Sequence, residues 1–275
     1  MSAMADAHRE FPFSAEQFRQ ISERIYRFSG IRLPEGKREM VYARLARRLR
    51  SLGIGSFDDY LRFLDLEPAE WEHCTNALTT NVTAFYREEH HFVTLAEHAR
   101  ASAGAPYRVW SAGCSTGEEP YTIAMCLTEA LGSGANFEVL ASDLDTQVIA
   151  HAREAVYPLQ SVTKLPEERQ KRFFLKGAGR NEGMARVRPE LAHHVEFLRV
   201  NLMDGEWPIE PAFDAIFCRN VMIYFDKPTQ RKLVERYAKL LKPQGLFFAG
   251  HAESLLDSGR HFRLRGQTVY ELASP

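Results

Sequence analysis

Apolar residues recur at helical spacing along residues 12–80, then in short strand-length runs separated by helical patterns along residues 106–275. Ser14 and Gln17 form a capping box ahead of Phe18, Ile21, Ile25 and Phe28, and Gly30 closes that helix. A second helix is predicted from about Glu35 to Leu52, closed by Gly53, with Val41, Leu45, Leu49 and Leu52 as its apolar row. Ser56 and Asp59 open a third through Tyr60, Leu61 and Leu64, and Pro68 starts a fourth through Trp71, Cys74 and Leu78. The pattern therefore divides the chain into a loose polar tail (1–11), an all-helical domain (12–80), a linker (81–105) and a larger α/β domain (106–275).

In the α/β part, strands are predicted at Tyr107–Ser111, Phe137–Asp145, Val195–Val200, Phe213 onward and Gly245–Gly250. Helices are predicted from Pro120 to about Leu131, from Thr146 to Ala155 and from Pro228 to Leu241. Phe173–Lys176 and Met184–Arg188 read as a small antiparallel ribbon inserted over about 161–196, and Phe262–Glu271 as a closing hairpin. This is a parallel sheet with right-handed crossovers and an antiparallel edge. Ligands of such sheets lie across the C-terminal strand ends, which here carry Gly113, Asp143, Asn201 and Asn220.

The turn after the first strand, Ala112–Gly117, is built of small residues and leads into a helix with Pro120 in its first turn. That is the layout of a nucleotide-binding turn. A phosphate would bind at the helix N-terminus, but Glu118 and Glu119 already stand there and would repel it. Acid beside a glycine turn suits a cationic group, such as the α-ammonium of S-adenosylmethionine; the plainer alternative is that both carboxylates only complement the helix dipole. Asp143 and Asp145 close the second strand about twenty-five residues on, where a carboxylate accepts hydrogen bonds from ribose hydroxyls. Either could do so, with the other capping the next helix. NAD sites share this spacing, but the two glutamates disfavour a pyrophosphate.

A formal net charge of -1 argues against wholesale nucleic-acid binding. Cys74, Cys114, Cys126 and Cys218 are scattered and read as reduced, buried thiols of a cytoplasmic protein. No apolar run approaches bilayer-spanning length and no signal peptide is expected, so direct membrane insertion is not expected either. Arg44, Arg47, Arg48 and Arg50 follow Lys37 and Arg38 on the second helix, with only Glu39 among them. Such a face is either plain solvated surface or a contact for an acidic partner. The segment Leu78–Phe92 concentrates hydroxyls, amide and aromatics in a connection, which marks a functional loop. His90 and His91 read as helix-surface residues rather than metal ligands.

Leu78-Thr-Thr-Asn-Val-Thr-Ala-Phe-Tyr-Arg87, Ser115-Thr-Gly-Glu-Glu-Pro-Tyr121, Phe217-Cys-Arg-Asn-Val-Met-Ile-Tyr-Phe225 and Gly266-Gln-Thr-Val-Tyr270 resemble the motifs of the chemotaxis receptor methyltransferases (CheR type). The resemblance implies a Rossmann-like S-adenosylmethionine-dependent methyltransferase sheet carrying an N-terminal all-helical domain and an inserted antiparallel β-subdomain. It implies methylation of glutamate side chains on the cytoplasmic helices of chemoreceptors, with S-adenosylhomocysteine as product. It puts cofactor contacts on Asn81, Thr83, Arg87, Gly113, Glu118, Asp143, Asn201, Leu202, Arg219 and Asn220, and Tyr224 near the transferred methyl. Arg87 and Tyr224 are the expected catalytic residues, with Arg87 on the cofactor's own carboxylate. Arg44, Arg47 and Arg48 are expected to approach the receptor, and Lys176, Arg186, Gly177 and Gly183 to dock a receptor's C-terminal pentapeptide. Cys114 departs from the small residue expected there and places a thiol beside the cofactor. The competing reading, a nucleic-acid methyltransferase using the basic helix for phosphate, lacks an Asn/Asp-Pro-Pro-Tyr-type motif.

Overall fold

The computed structural model describes residues 9–102, 106–132, 134, 136–253 and 261–273. The chain forms two compact units: Met1–Thr80 with Tyr224–Asp226, and Asn81–Ile223 with Lys227–Pro275.

The first unit contains α1 (Ala15–Ser29), α2 (Arg38–Leu52), α3 (Phe57–Leu66) and α4 (Glu70–Leu78). Both halves of the expected capping box are made: Gln17 N–H donates to Ser14 Oγ and Ser14 N–H to Gln17 Oε1. Gly30 and Gly53 end α1 and α2 in the left-handed conformation. Phe18, Ile25, Val41, Leu45, Phe57, Tyr60 and Leu64 share one core. The tail is shorter than expected. Residues 1–8 lie outside the described residues, but Phe11 is buried edge-on against Phe57, and Arg9 pairs with Glu39.

The arginine face of α2 is largely engaged within its own unit. Arg48 grips the buried Glu70 through Nε (2.7 Å) and Nη2 (2.5 Å), and the Tyr60 hydroxyl donates to the same carboxylate at 2.9 Å. Arg44 donates to the carbonyls of Ala77 and Thr79 at the end of α4, and Arg50 pairs with Glu10. The balancing groups come from elsewhere in the chain, which is why the local sequence looked unbalanced. Arg47 remains exposed.

The second unit is built on a seven-stranded sheet: β1 (Tyr107–Ala112), β2 (Phe137–Asp143), β6 (Val195–Arg199), β7 (Phe213–Cys218), β8 (Leu241–Ala249), β9 (Phe262–Gly266) and β10 (Val269–Leu272). Its order is β6-β2-β1-β7-β8-β10-β9. The first five strands run parallel, and β10 is antiparallel to both neighbours. The order reverses at β1, whose neighbours β2 and β7 lead away on opposite sides, so β1 opens the crevice where such sheets bind ligands. Helices α5 (His90–Ala101), α6 (Glu118–Leu131), α7 (Thr146–Glu154) and α11 (Lys227–Leu240) accompany the sheet. Much of the stretch expected as a linker is thus α5, whose Phe92, Leu95 and Ala99 enter the core of this unit.

Between β2 and β6 lie the short helices α8 (Leu159–Val162), α9 (Glu167–Phe173) and α10 (Pro189–Ala192) and a second sheet. That sheet has three strands, not two: β3 (Val156–Pro158) joins β4 (Phe174–Lys176) and β5 (Met184–Val187) in the order β3-β5-β4. Its first strand precedes the expected boundary because Ala155, in the left-handed conformation, turns α7 directly into β3. Likewise α11 passes into β8 at Leu241, earlier than Gly245, with a register shift against β7 at Phe213/Ala215.

Replacing Arg48 by Met strands the Glu70 carboxylate and should lower unfolding stability by about 3 kcal/mol. Arg47→Met should stay within about 0.5 kcal/mol of the parent. Urea unfolding of both variants checks the contrast, and equal stabilities would refute the engaged-arginine account.

Candidate active site

The turn between β1 and α6 sits hard against its neighbours. Gly113 and Cys114 N–H groups both donate to the Ser142 carbonyl of β2, at 2.7 and 2.9 Å. Gly113 has φ +86°, and a Cβ there would meet Val221 Cγ2 at 2.3 Å. Gly117 has φ +98°, and a Cβ there would meet the Tyr157 hydroxyl at 2.7 Å and Ala152 Cβ at 2.8 Å. Only glycine fits both places. Tyr157, on β3 of the inserted sheet, donates from that hydroxyl to the Thr116 carbonyl at 2.8 Å. The inserted sheet therefore buttresses the turn.

The two strand-end acids separate by role. Asp145 caps α7, accepting from Gln147 N–H (2.9 Å) and Val148 N–H (3.3 Å), while its other oxygen accepts from Asn81 Nδ2 at 2.9 Å. Asp143 is left at the end of β2, accepting from Ser115 N–H (2.9 Å) and Asp145 N–H (3.0 Å). Burial pushes its carboxyl above the ordinary range, against the pull of those N–H groups.

At the start of α6, Glu118 accepts from the Thr116 hydroxyl at 2.6 Å. Glu119 is half-buried, and desolvation raises its carboxyl above the usual value. It accepts from the Ser111 hydroxyl (2.8 Å) and from Arg219 Nη1 (2.9 Å). Both carboxylates in the first turn of α6 are thus engaged by neighbouring side chains, and both residues are half-buried. The side chain of Arg219, expected to contact the cofactor, is 2% exposed and held between Glu119 (2.9 Å) and Glu88 (3.3 Å).

Asn81, Thr83 and Arg87 lie on the segment before α5. Ser115 Oγ donates to the Asn81 carbonyl at 3.3 Å, which ties this segment to the glycine turn. Arg87 Nη1 donates to the Val82 carbonyl at 2.9 Å. Asn201 is buried after β6 and accepts from Met203 N–H at 3.0 Å, with Leu202 buried beside it. Asn220 follows β7 with φ +60°. Tyr224 groups with the helical unit, its carbonyl accepting from Arg32 N–H at 2.9 Å. Lys176 and Arg186 are exposed on the inserted sheet. Non-glycine residues with positive φ gather on these same segments: Tyr86, Glu88, Ser115 and Asn220. Such strain concentrates at functional sites.

Two features were not foreseen. Glu253, buried past β8, accepts from Asn220 N–H (2.9 Å), Gly250 N–H (2.6 Å) and Ile223 N–H (3.2 Å). Burial raises its carboxyl, and it organises the turn after β7. A lone glutamate three residues beyond a glycine gives no sequence signal of this. His91 is fully buried, contrary to the expected surface position, because α5 turns it toward the Gln267–Thr268 turn: Nε2 lies 3.0 Å from the Gln267 carbonyl oxygen. Glu88, His90 and His91 bring ligand-type atoms within 4.8 Å of one another. The Arg219 guanidinium already supplies positive charge there, which disfavours a metal ion. Cys114 is fully buried, and burial raises its thiol well above the usual range, so it stays protonated and unreactive.

A parallel sheet with an antiparallel last strand, and two acids in the first turn of the helix at its switch point, is a ligand-binding arrangement that disfavours a phosphate. Residues 81–271 match the family model described as CheR methyltransferase, SAM binding domain, and residues 16–79 the model described as CheR methyltransferase, all-alpha domain. The chain is 53% identical over 269 residues to the chemotaxis protein methyltransferase 2 of Pseudomonas aeruginosa, covering 97% of this chain and 96% of that protein. It is 53% identical over 274 residues to the chemotaxis protein methyltransferase of Klebsiella aerogenes (98% and 94% covered) and 50% identical over 274 residues to that of Escherichia coli (98% and 92%). The chain belongs to the CheR methyltransferase family, and S-adenosylmethionine is its cofactor.

Gly113→Ala should cost at least about 1 kcal/mol of stability through its backbone alone and should weaken S-adenosylhomocysteine binding. Calorimetric titration showing parental affinity would contradict the tight-turn account. Burial, and then the charge of Arg219, lower His91 from 6.5 to about 4. Between those values the unfolded chain holds a proton that the folded chain does not, so stability rises with pH through this window and is fully present above 6.5. The difference is on the order of 3 kcal/mol. His91→Gln should flatten the Tm–pH curve between pH 4 and 6.5; a slope equal to the parent's would exclude His91 as its source.

Proposed function

We propose that the protein transfers a methyl group from S-adenosylmethionine to glutamate side chains on the cytoplasmic helices of methyl-accepting chemotaxis receptors, forming γ-glutamyl methyl esters in the cytoplasm. The observation that carries this reading is near full-length identity above 50% to proteins named chemotaxis protein methyltransferases, joined to a helix start that carries two acids in its first turn.

The donor set fits the cofactor. Asp143 stands where ribose hydroxyls can donate to it, and Glu118 suits the α-ammonium. Arg87 suits the cofactor's carboxylate, with Asn81 and Thr83 on the same segment. Gly113 allows close approach of backbone, and Asn201, Leu202 and Asn220 complete the remaining strand ends. When bound, the cofactor supplies an electrophilic methyl on a sulfonium. Its acceptor needs no general base: a free glutamate titrates near pH 4.3 and is already ionised at pH 7. A carboxylate and a sulfonium lose their charges as ester and thioether form, so a strong cation held on the acceptor would favour the ground state and slow the step. The protein's contribution is therefore positioning, worth roughly 7–11 kcal/mol in favourable cases. Tyr224 is assigned to aim the acceptor.

For the receptor, the exposed Arg47 is the better candidate contact. Arg44 and Arg48 are engaged within their own unit, so their reversal would mix folding with docking. On the inserted sheet, Lys176 lies on the edge strand β4, on which a receptor's C-terminal pentapeptide would add as a strand, with Arg186 on the central strand β5 and Gly177 and Gly183 in the loop beside it.

Incubating the protein with radiolabelled cofactor and a receptor cytoplasmic fragment should give label on the fragment that mild alkali releases, as a carboxyl ester requires. Label stable to alkali, or label found in RNA or DNA, would overturn the reading.

A further inference from the structure

Three separate segments meet at a buried charge cluster beside the glycine turn. Arg219, at the end of β7, places Nη1 on Glu119 (2.9 Å) and Nη2 against Glu88 (3.3 Å), and Nη2 also donates to the Arg87 carbonyl. The other oxygen of Glu88 accepts from His251 N–H, just past β8, at 3.3 Å. Burial pushes the Glu88 carboxyl up, but Arg219 and that N–H outweigh it and hold it below its ordinary value. His91 Nε2 faces the Gln267 carbonyl, which can only accept, so Nε2 carries the proton. Its Nδ1 lies 3.5 Å from Glu88. Beyond it stands the β9–β10 turn, where Gln267 and Thr268 have φ of 46° and 62°.

A guanidinium enclosed by two carboxylates is a poor way to gain stability, because desolvation takes back most of the attraction. Geometry is what it secures. Tyr86 (φ 53°) and Glu88 (φ 57°) hold the left-handed conformation on either side of Arg87, at a cost of about 1–3 kcal/mol each. Such strain persists only where surrounding contacts over-determine it. Here Tyr86 N–H donates to the Thr122 hydroxyl at 3.2 Å, Arg219 holds the Arg87 carbonyl, and Glu88 is anchored from two sides.

We propose that Glu88 and Arg219 are positioning residues for methyl transfer: the ion pair clamps the strained backbone around Arg87 and so aims the Arg87 side chain, with neither residue touching the cofactor. The proposal rests on the reading above that Arg87 holds the cofactor's amino-acid carboxylate. It moves Arg219 from a cofactor contact to a support of one.

The test compares two ligands on the full chain by calorimetric titration: S-adenosylhomocysteine, and 5′-methylthioadenosine, which lacks the amino-acid end. Parent protein that binds neither ligand would overturn the cofactor reading itself, before any variant is made. Glu88→Gln should weaken S-adenosylhomocysteine about tenfold, through loss of the carboxylate charge that faces Arg219 at 3.3 Å. Its affinity for 5′-methylthioadenosine should stay unchanged. A general loosening of the unit would weaken both ligands alike, and equal losses or no loss would overturn the proposal. Glu88→Asp keeps the charge one methylene back and should show the same selectivity with a smaller loss. It is read by the same criterion should Glu88→Gln not fold.

Discussion

The passage from β1 to α6 is made in five residues, and its backbone packs directly on the end of β2 and the residues after β7. One carbonyl, that of Ser142, receives two consecutive N–H groups of the turn, and the next N–H goes to Asp143. Side chains at Gly113 or Gly117 would force the turn away from Val221 or from Tyr157 and Ala152. The start of α6, the strand-end carboxylate and the segment tied through Ser115 to Asn81 all take their places from this contact. The inserted sheet, whose Tyr157 holds the Thr116 carbonyl, supports the turn as well.

Buried carboxylates are the second device. Asp145, Glu253 and Asp143 each accept two or more backbone N–H groups at the ends of strands, and Glu119 accepts a hydroxyl and a guanidinium. An orphaned N–H at a strand end is costly to bury, and these acids satisfy such donors where the loops must be irregular. Two of these acids let Ser115 and Asn220 keep left-handed backbones that their side chains would otherwise resist.

Where a structural cause is local, the sequence displays it. The Ser14–Gln17 capping box, the glycine stops at Gly30 and Gly53, and the alternation of buried strand and amphipathic helix after Tyr107 each lie within a few residues and predict their elements directly. The separation of Asp143 from Asp145 could not be read, because both stand at one strand end and only the cap geometry distinguishes them. Glu70 lies 22 residues from Arg48, and Arg219 lies 100 from Glu119 and 131 from Glu88, so no window reveals either cluster. His91 looked like surface because its partner turn, Gln267–Thr268, is 176 residues away. Val156–Pro158 is too short to carry a period of its own, and only pairing with β5 makes it a strand.

The proposed chemistry gives the enclosed arginine a further meaning. Methyl transfer to a carboxylate removes charge, so a free guanidinium near the acceptor would bind substrate at the expense of rate. Arg219 is needed to hold the Arg87 carbonyl, yet its charge would be harmful if it reached the acceptor. Glu88 and Glu119 answer both demands: they fix the guanidinium in place and cancel its field at close range, where a buried charge is least screened by water. The acceptor then meets a site that is rigid in shape while carrying little positive charge of its own, which is what a reaction limited by alignment requires.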